Sequence, residues 1–264
     1  MLLSFCLYTS VSAQRHELGF MIGASDYNGD LNPGFLNFKF LHPAGGLIYR
    51  FNKNKHFSYK LDALFGTVSA DDALSNDAFQ INRNLSFSSA IQEVSGELEF
   101  NFFPYEAGTE ITYFTPYMFA GISIFHFNPT AELNGKTYDL EPLHTEGERG
   151  YNRIAGAFPF GGGLKLSVGT VNVGVEIGVR KTYTDYLDDV STVYPNEAAL
   201  LTTNGPIAAQ LSNRSLNSNG ESVQGRQRGN PNNNDWYMFG GFWVTFTVFN
   251  VGKHSCEAFP KWRY

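Results

Sequence analysis

Hydrophobic positions in this chain recur at every second residue. The segment Val171 to Arg180 shows it best: Val171, Val173, Val175, Ile177 and Val179 share one face, while Asn172, Gly174, Glu176, Gly178 and Arg180 share the other. Successive side chains on a strand point to opposite faces, so this is a strand with one apolar side. The same alternation predicts eight strands, roughly His16–Ala24, Ala44–Asn52, His56–Ser69, Phe87–Phe103, Thr115–Phe127, Phe158–Val168, Val171–Tyr183 and Asp235–Asn250. Each is long enough to cross a bilayer, which takes about 9–11 tilted residues. No uncharged apolar stretch reaches the roughly 18 residues of a transmembrane helix.

Alternation alone also fits a soluble sandwich, and the connections decide between the two. They are Ser25–Pro43, Lys53–Lys55, Ala70–Ser86, Pro104–Phe114, Asn128–Ala157, Gly169–Thr170 and Thr184–Asn234, so that short and long ones alternate. Outer-membrane barrels have short periplasmic turns and longer outer loops. A sandwich has no reason to sort its connections this way. The expected fold is all-β: a closed antiparallel eight-stranded transmembrane β-barrel in the outer membrane, spanning residues 14–250.

In that barrel the lipid-facing set is Leu18, Phe20, Ile22, Leu47, Tyr49, Leu61, Ala63, Phe65, Val94, Leu98, Leu164, Leu166, Val173, Val175, Ile177, Phe242 and Val244. Arg50, Lys60, Asp62, Glu93, Glu97, Glu99, Lys165, Glu176 and Arg180 face inward. Eight strands leave an interior only wide enough for side chains, so these charges are expected to pair and fill a polar lumen rather than line a pore. Phe51, Phe57, Phe100, Phe102, Tyr117 and Phe246 are expected in a periplasmic aromatic girdle, and Phe125, Phe127, Phe160, Tyr183, Trp236 and Tyr237 in an outer one. Tyr117 to Phe127 is apolar on both faces, which leaves its orientation open.

Composition agrees with a barrel. A length of 264 residues suits one domain, and a net charge of −6 argues against nucleic-acid binding. The mean hydropathy of −0.23 is no obstacle, because lumen and loop residues dilute the apolar signal. Met1 to Ala13 has an apolar core and ends Val11-Ser12-Ala13, the pattern of a signal peptide cut after Ala13, although it lacks a basic residue; a short buried strand is the alternative. With the leader removed, Cys256 is the lone cysteine, free or paired with another chain. The segment Val251–Tyr264 is expected to be a periplasmic C-terminal tail. Its Cys256, Phe259, Trp262 and Tyr264 are the candidate partner-binding residues, on a basic and aromatic stretch suited to gripping a protein surface.

No enzyme signature is present, and no catalytic residue, cofactor or small-molecule substrate is expected. The six histidines, His16, His42, His56, His126, His144 and His254, lack metal-ligand spacing. Ser123 and His126 would serve a lipid-modifying enzyme if both faced lipid, but no acid partner is visible. Gly161-Gly162-Gly163 has no following helix and suits a bend or close approach in the barrel wall. Asn128–Ala157, with Glu132, Asp139, Glu141, Glu146 and Glu148, lacks calcium-loop spacing. Thr184–Asn234 is expected to be a disordered outer loop, since Asn213–Asn234 is almost free of apolar residues.

The opening strand runs into Tyr27-Asn28-Gly29-Asp30-Leu31 and the chain ends with Cys256, Phe259 and Trp262. In these features it resembles the PorG-like outer-membrane barrels of Bacteroidota. The resemblance implies a structural component of the type IX secretion system that anchors a periplasmic ring assembly, with Cys256 as a disulfide partner to a ring subunit. A surface barrel that binds through its outer loops is the alternative.

Overall fold

The computed structural model describes residues 15–34, 37–147, 150–217 and 222–248. The expected leader 1–13 and the expected tail 251–264, with Cys256, Phe259, Trp262 and Tyr264, lie outside them.

Nine strands are present: β1 Arg15–Asn28, β2 His42–Asn52, β3 Phe57–Asp71, β4 Ser86–Asn101, β5 Thr109–Leu133, β6 Lys136–Asp139, β7 Ile154–Gly169, β8 Val171–Thr182 and β9 Trp236–Val248. Their order is β4-β3-β2-β1-β9-β8-β7-β5-β6, and β4 also pairs with β5. That last pairing closes a ring of eight antiparallel strands. β6 stays outside it as a hairpin extension of β5, turned by Asn134 (φ 54°) and Gly135 (φ 76°). Asn-Gly is the preferred pair for such a two-residue turn because both positions need positive φ. This hairpin lies within the segment expected to be plain loop.

The face assignment follows the two-residue period. Leu18, Phe20, Ile22, Leu47, Leu61, Phe65, Val94, Leu98, Ile177 and Phe242 project outward from the wall. A continuous apolar belt of this kind on a closed barrel is the lipid-facing band of an outer-membrane protein. No helix among the described residues is long and apolar enough to cross a membrane. At Gly161 and Gly163 a Cβ would lie 2.2 and 2.1 Å from the carbonyl oxygens of Ile177 and Val175 on the neighbouring strand. The triple glycine is therefore a site of close backbone approach, as its position within a strand suggested.

Several aromatic residues expected in the girdles face inward instead. Tyr117, Phe125, Phe127 and Tyr237 are all buried in the lumen. On β5 it is Met118, Ile122 and Ile124 that meet the lipid. The interior is accordingly not polar throughout: Met21, Ile48, Leu64, Ile91, Phe119, Phe239 and Trp243 are buried among the charges. Phe57, Phe102 and Phe246 at the turn end, and Phe160 and Tyr183 toward the loop end, are exposed as expected of girdle residues.

Candidate functional site

Two buried polar assemblies occupy the molecule. The first fills the lumen. Arg50 bonds Glu17 Oε2 through Nη1 at 2.9 Å and Glu99 through Nε and Nη2 at 2.8 and 3.1 Å. Lys165 reaches Glu99 at 2.5 Å, and Arg180 reaches Glu93 at 3.2 Å. Lys60 Nζ stands between Asp62, Glu97 and Glu176 at 3.1, 2.8 and 2.6 Å. These three carboxylates are close enough together to hold a metal ion, and the Lys60 ammonium already sits among them. Aromatic faces complete the packing, with Trp243 over Arg50 at 4.4 Å and Phe119 over Lys60 at 4.3 Å. Every carboxylate in this assembly touches a cation. Glu17, which the sequence reading missed, sits opposite Leu18 in the alternation and was legible there.

The second assembly is a folded cap built by the four long connections at the other end. The loop from 72 to 85 carries α1, Ala78–Arg83, whose first turn is capped by Asp77 accepting from the amides of Phe79 and Gln80. The connection from 183 to 235 carries α2, Glu197–Thr203, capped by Asn196, and α3, Pro206–Ser212, which starts on a proline with a fixed φ. The described part of this connection is thus folded, not disordered. Leu187, Val190, Leu200, Ala208 and Leu211 from it are buried.

Two arginines tie the cap together. Arg228 Nη1 donates to Glu146 at 2.9 Å and to the Asp189 carbonyl at 2.6 Å. Glu146 also accepts from the backbone amides of Ser191 and Thr192 and from the Thr192 hydroxyl. Arg83 forms a fork on Asp72, with Nε at 2.7 Å and Nη2 at 2.8 Å, and donates to the carbonyls of Arg228 and Asp30. One chain of charge-assisted bonds therefore joins all four connections.

The cap also buries Asp185, Asp188 and Asp235, which have no ion pair among the described residues. Burial pushes Asp185 up to about 7, and Asp189 up to about 6 against the pull of Arg228. Asp188 and Asp235 are held well above the usual carboxylate range, first by burial and then by repulsion from neighbouring aspartates.

The remaining candidates do not come together. Ser123 points into the lumen, whereas His126, an odd number of residues away, sits on the opposite face of β5. They cannot share a lipid-facing site, and the lipid-modifying arrangement is overturned. His42 bonds Ser69 and His56 bonds the Asn101 carbonyl, each at its own strand end.

The family model described as "Domain of unknown function (DUF6089)" matches residues 1–204. No curated protein matches the sequence. Among solved structures the chain is similar to Ail, the attachment invasion locus protein of Yersinia pestis, crystallised with the heparin analogue sucrose octasulfate, at 9% identity and a TM-score of 0.40, covering 89% of this chain and 99% of that one. The N-terminal β-barrel domain of Pseudomonas aeruginosa OprF follows at 11% identity and a TM-score of 0.35, covering 89% and 98%. A major outer membrane protein from Thermus thermophilus is similar at 11% identity and a TM-score of 0.33, covering 88% and 99%.

Proposed function

The chain belongs to the DUF6089 family, and we propose that it is a non-enzymatic structural barrel of the type IX protein secretion system, anchoring a periplasmic ring assembly through residues 251–264. The observation that supports this reading most is that the lumen is filled by ion pairs and aromatic rings while the outer mouth carries a folded cap. A small barrel packed in this way offers no water-filled path, and its described residues bring no nucleophile and base together. What remains for it to do is to hold something in place. The tail supplies the grip, with Phe259, Trp262 and Tyr264 as anchors and Cys256 as a lone thiol that can form an intermolecular disulfide in an oxidising compartment.

Affinity capture from solubilised outer membranes, with and without 251–264 and under reducing and non-reducing conditions, tests this. Ring subunits recovered only with the intact tail support the anchor, and a bound species lost in Cys256→Ser on non-reducing gels supports the disulfide. Equal recovery with and without the tail refutes its role.

A second reading, a surface barrel binding through its outer loops, is favoured by one observation. The cap is folded and leaves Phe38, Leu74, Phe79, Leu201 and Leu216 exposed at its surface. Deleting 197–212 abolishes binding in that case, and deleting the tail does not.

A further inference from the structure

Tyr27, the first residue of the Tyr27-Asn28-Gly29-Asp30-Leu31 segment, is the penultimate residue of β1, with its phenol fully buried and its ring edge-on to Phe87, centroids 4.8 Å apart. Its hydroxyl meets two carboxylates: Asp188 Oδ2, and Asp235 Oδ1 at 3.1 Å. The other oxygen of each acid is already occupied. Asp188 Oδ1 accepts from the Val190 amide at 2.9 Å, and Asp235 Oδ2 from the Leu187 amide at 3.0 Å.

Proton counting constrains this arrangement. A phenol has one proton to donate, and an ionised carboxylate only accepts. When Tyr27 donates to Asp188, the contact with Asp235 Oδ1 sets two lone pairs face to face unless Asp235 carries a proton and donates it back. The converse assignment puts that proton on Asp188. Both assignments place two protons among the three side chains, one more than the phenol brings.

Among the described residues, the surroundings offer no uncommitted cation to balance a second negative charge. Among the described residues, the charged groups around the triad are Asp26 beside Tyr27 on β1, whose carboxylate accepts from the Tyr27 amide, Asp30 on the connection after β1, Asp185 and Asp189 on the long connection, Glu146 on the connection after β6, Arg83 on α1, and Arg228. Arg83 is committed to Asp72 and Arg228 to Glu146. Asp185 is 8% exposed and accepts no well-formed hydrogen bond. Burying a second negative charge here without a partner is strongly unfavourable.

We propose that a shared proton on the Asp188–Tyr27–Asp235 triad latches the outer cap onto the barrel, so that the cap opens locally when that proton is lost. Asp188 and Asp235 both belong to the long connection and Tyr27 belongs to the wall. Losing the proton therefore loosens the connection at two points where it bonds β1. The raised affinity of both acids for protons agrees with this.

The test uses the folded protein in detergent micelles from about pH 5 to about pH 9, a span that starts above the ordinary carboxylate range and runs well beyond it. Amide exchange at Leu187 and Val190, corrected for intrinsic base catalysis, needs no variant and is expected to speed up by at least about tenfold toward alkaline pH. Limited proteolysis of 183–235, normalised to an unstructured peptide, should rise in parallel while heat-modifiable gel mobility shows the barrel intact. Asp188→Asn and Asp235→Asn each supply a permanent donor, and at least one of them should flatten both profiles. Corrected exchange that stays flat in the wild type overturns the latch. So do two asparagine variants that both keep the wild-type rise. Opening by a chelator at the acidic end of the range also overturns it, by showing that a bound cation rather than a proton holds the acids.

Discussion

The lumen and the cap are both buried and both rich in carboxylates, yet they neutralise charge in different ways. In the lumen Glu17, Asp62, Glu93, Glu97, Glu99 and Glu176 each touch Arg50, Lys60, Lys165 or Arg180. In the cap, Asp72 and Glu146 have arginines, whereas Asp188 and Asp235 share a phenol. The difference follows from what each region is made of. A strand wall fixes alternate side chains at set heights, so an acid on one strand can face a base on the next. A cap assembled from irregular loops has backbone amides to spare, and it satisfies its acids with those. The lumen should therefore be sensitive to loss of a cation, and the cap to loss of a proton.

The largest effect that would break this contrast is expected at Lys60. Lys60→Met removes the ammonium that bonds Asp62, Glu97 and Glu176 and leaves buried acids undercompensated, a loss of about 3–5 kcal/mol. Urea unfolding of the refolded barrel in micelles measures it. A midpoint close to wild type would mean that the lumen, like the cap, satisfies its acids with protons.

Val175→Arg follows. Val175 lies on the outer face of β8, paired across to Leu164 and Phe242. Placing a guanidinium there, in the hydrocarbon, should cost ~2–4 kcal/mol, falling toward zero if the site is interfacial. Comparing the variant's unfolding in lipid vesicles with that of wild type gives the value, and no change would put either the facing of β8 or the depth of Val175 in the bilayer in error.

Arg228→Ala sharpens the contrast from the side of the cap. It strips Glu146 of its cation and the Asp189 carbonyl of a donor, a local loss of about 1.5–3 kcal/mol. Amide exchange should quicken at Ser191 and Thr192, whose protons Glu146 accepts. The global unfolding midpoint of the barrel should hold. If the midpoint falls with it, barrel and cap are one cooperative unit.

These two regions also differed in how much of them the sequence discloses. The strands, the sorting of short and long connections, and the inward charges were all legible, because a period of two assigns a face to every residue. It failed for aromatics: Phe125, Phe127 and Tyr237 suit a girdle by composition, and β5 is apolar on both sides, so only the register with β4 and β7 turns them inward. The cap was hidden for a different reason. Its decisive pairings span long separations, such as Arg228 with Glu146 and Tyr27 with Asp188, and no local pattern announces them. Local signals did exist in Asp77, Asn196 and the Gly205-Pro206 step, which start α1, α2 and α3. An Asn- and Ser-rich composition masked them.

The smallest effect is expected at Asp185→Asn, and it isolates the cap's proton dependence from its hydrogen bonds, since Asp185 makes none that is well formed. In the folded cap this carboxyl titrates at about 7, against an ordinary value of 3.8. A raised carboxyl binds its proton more tightly when folded, so it favours the closed cap at acid pH. That contribution is lost as pH climbs from near 4 through about 7. Asp185 is less tightly enclosed than Asp188 and Asp235, and screening of the difference leaves about 1 kcal/mol as the expected size of the change. The asparagine variant should remove this slope below neutral pH and leave the alkaline rise attributed to Tyr27, Asp188 and Asp235 in place. Amide exchange of the cap read against pH separates the two arms. If the alkaline rise vanished together with the neutral one, Asp185 would be the group that releases the cap and the phenol-bridged pair would be a passive contact.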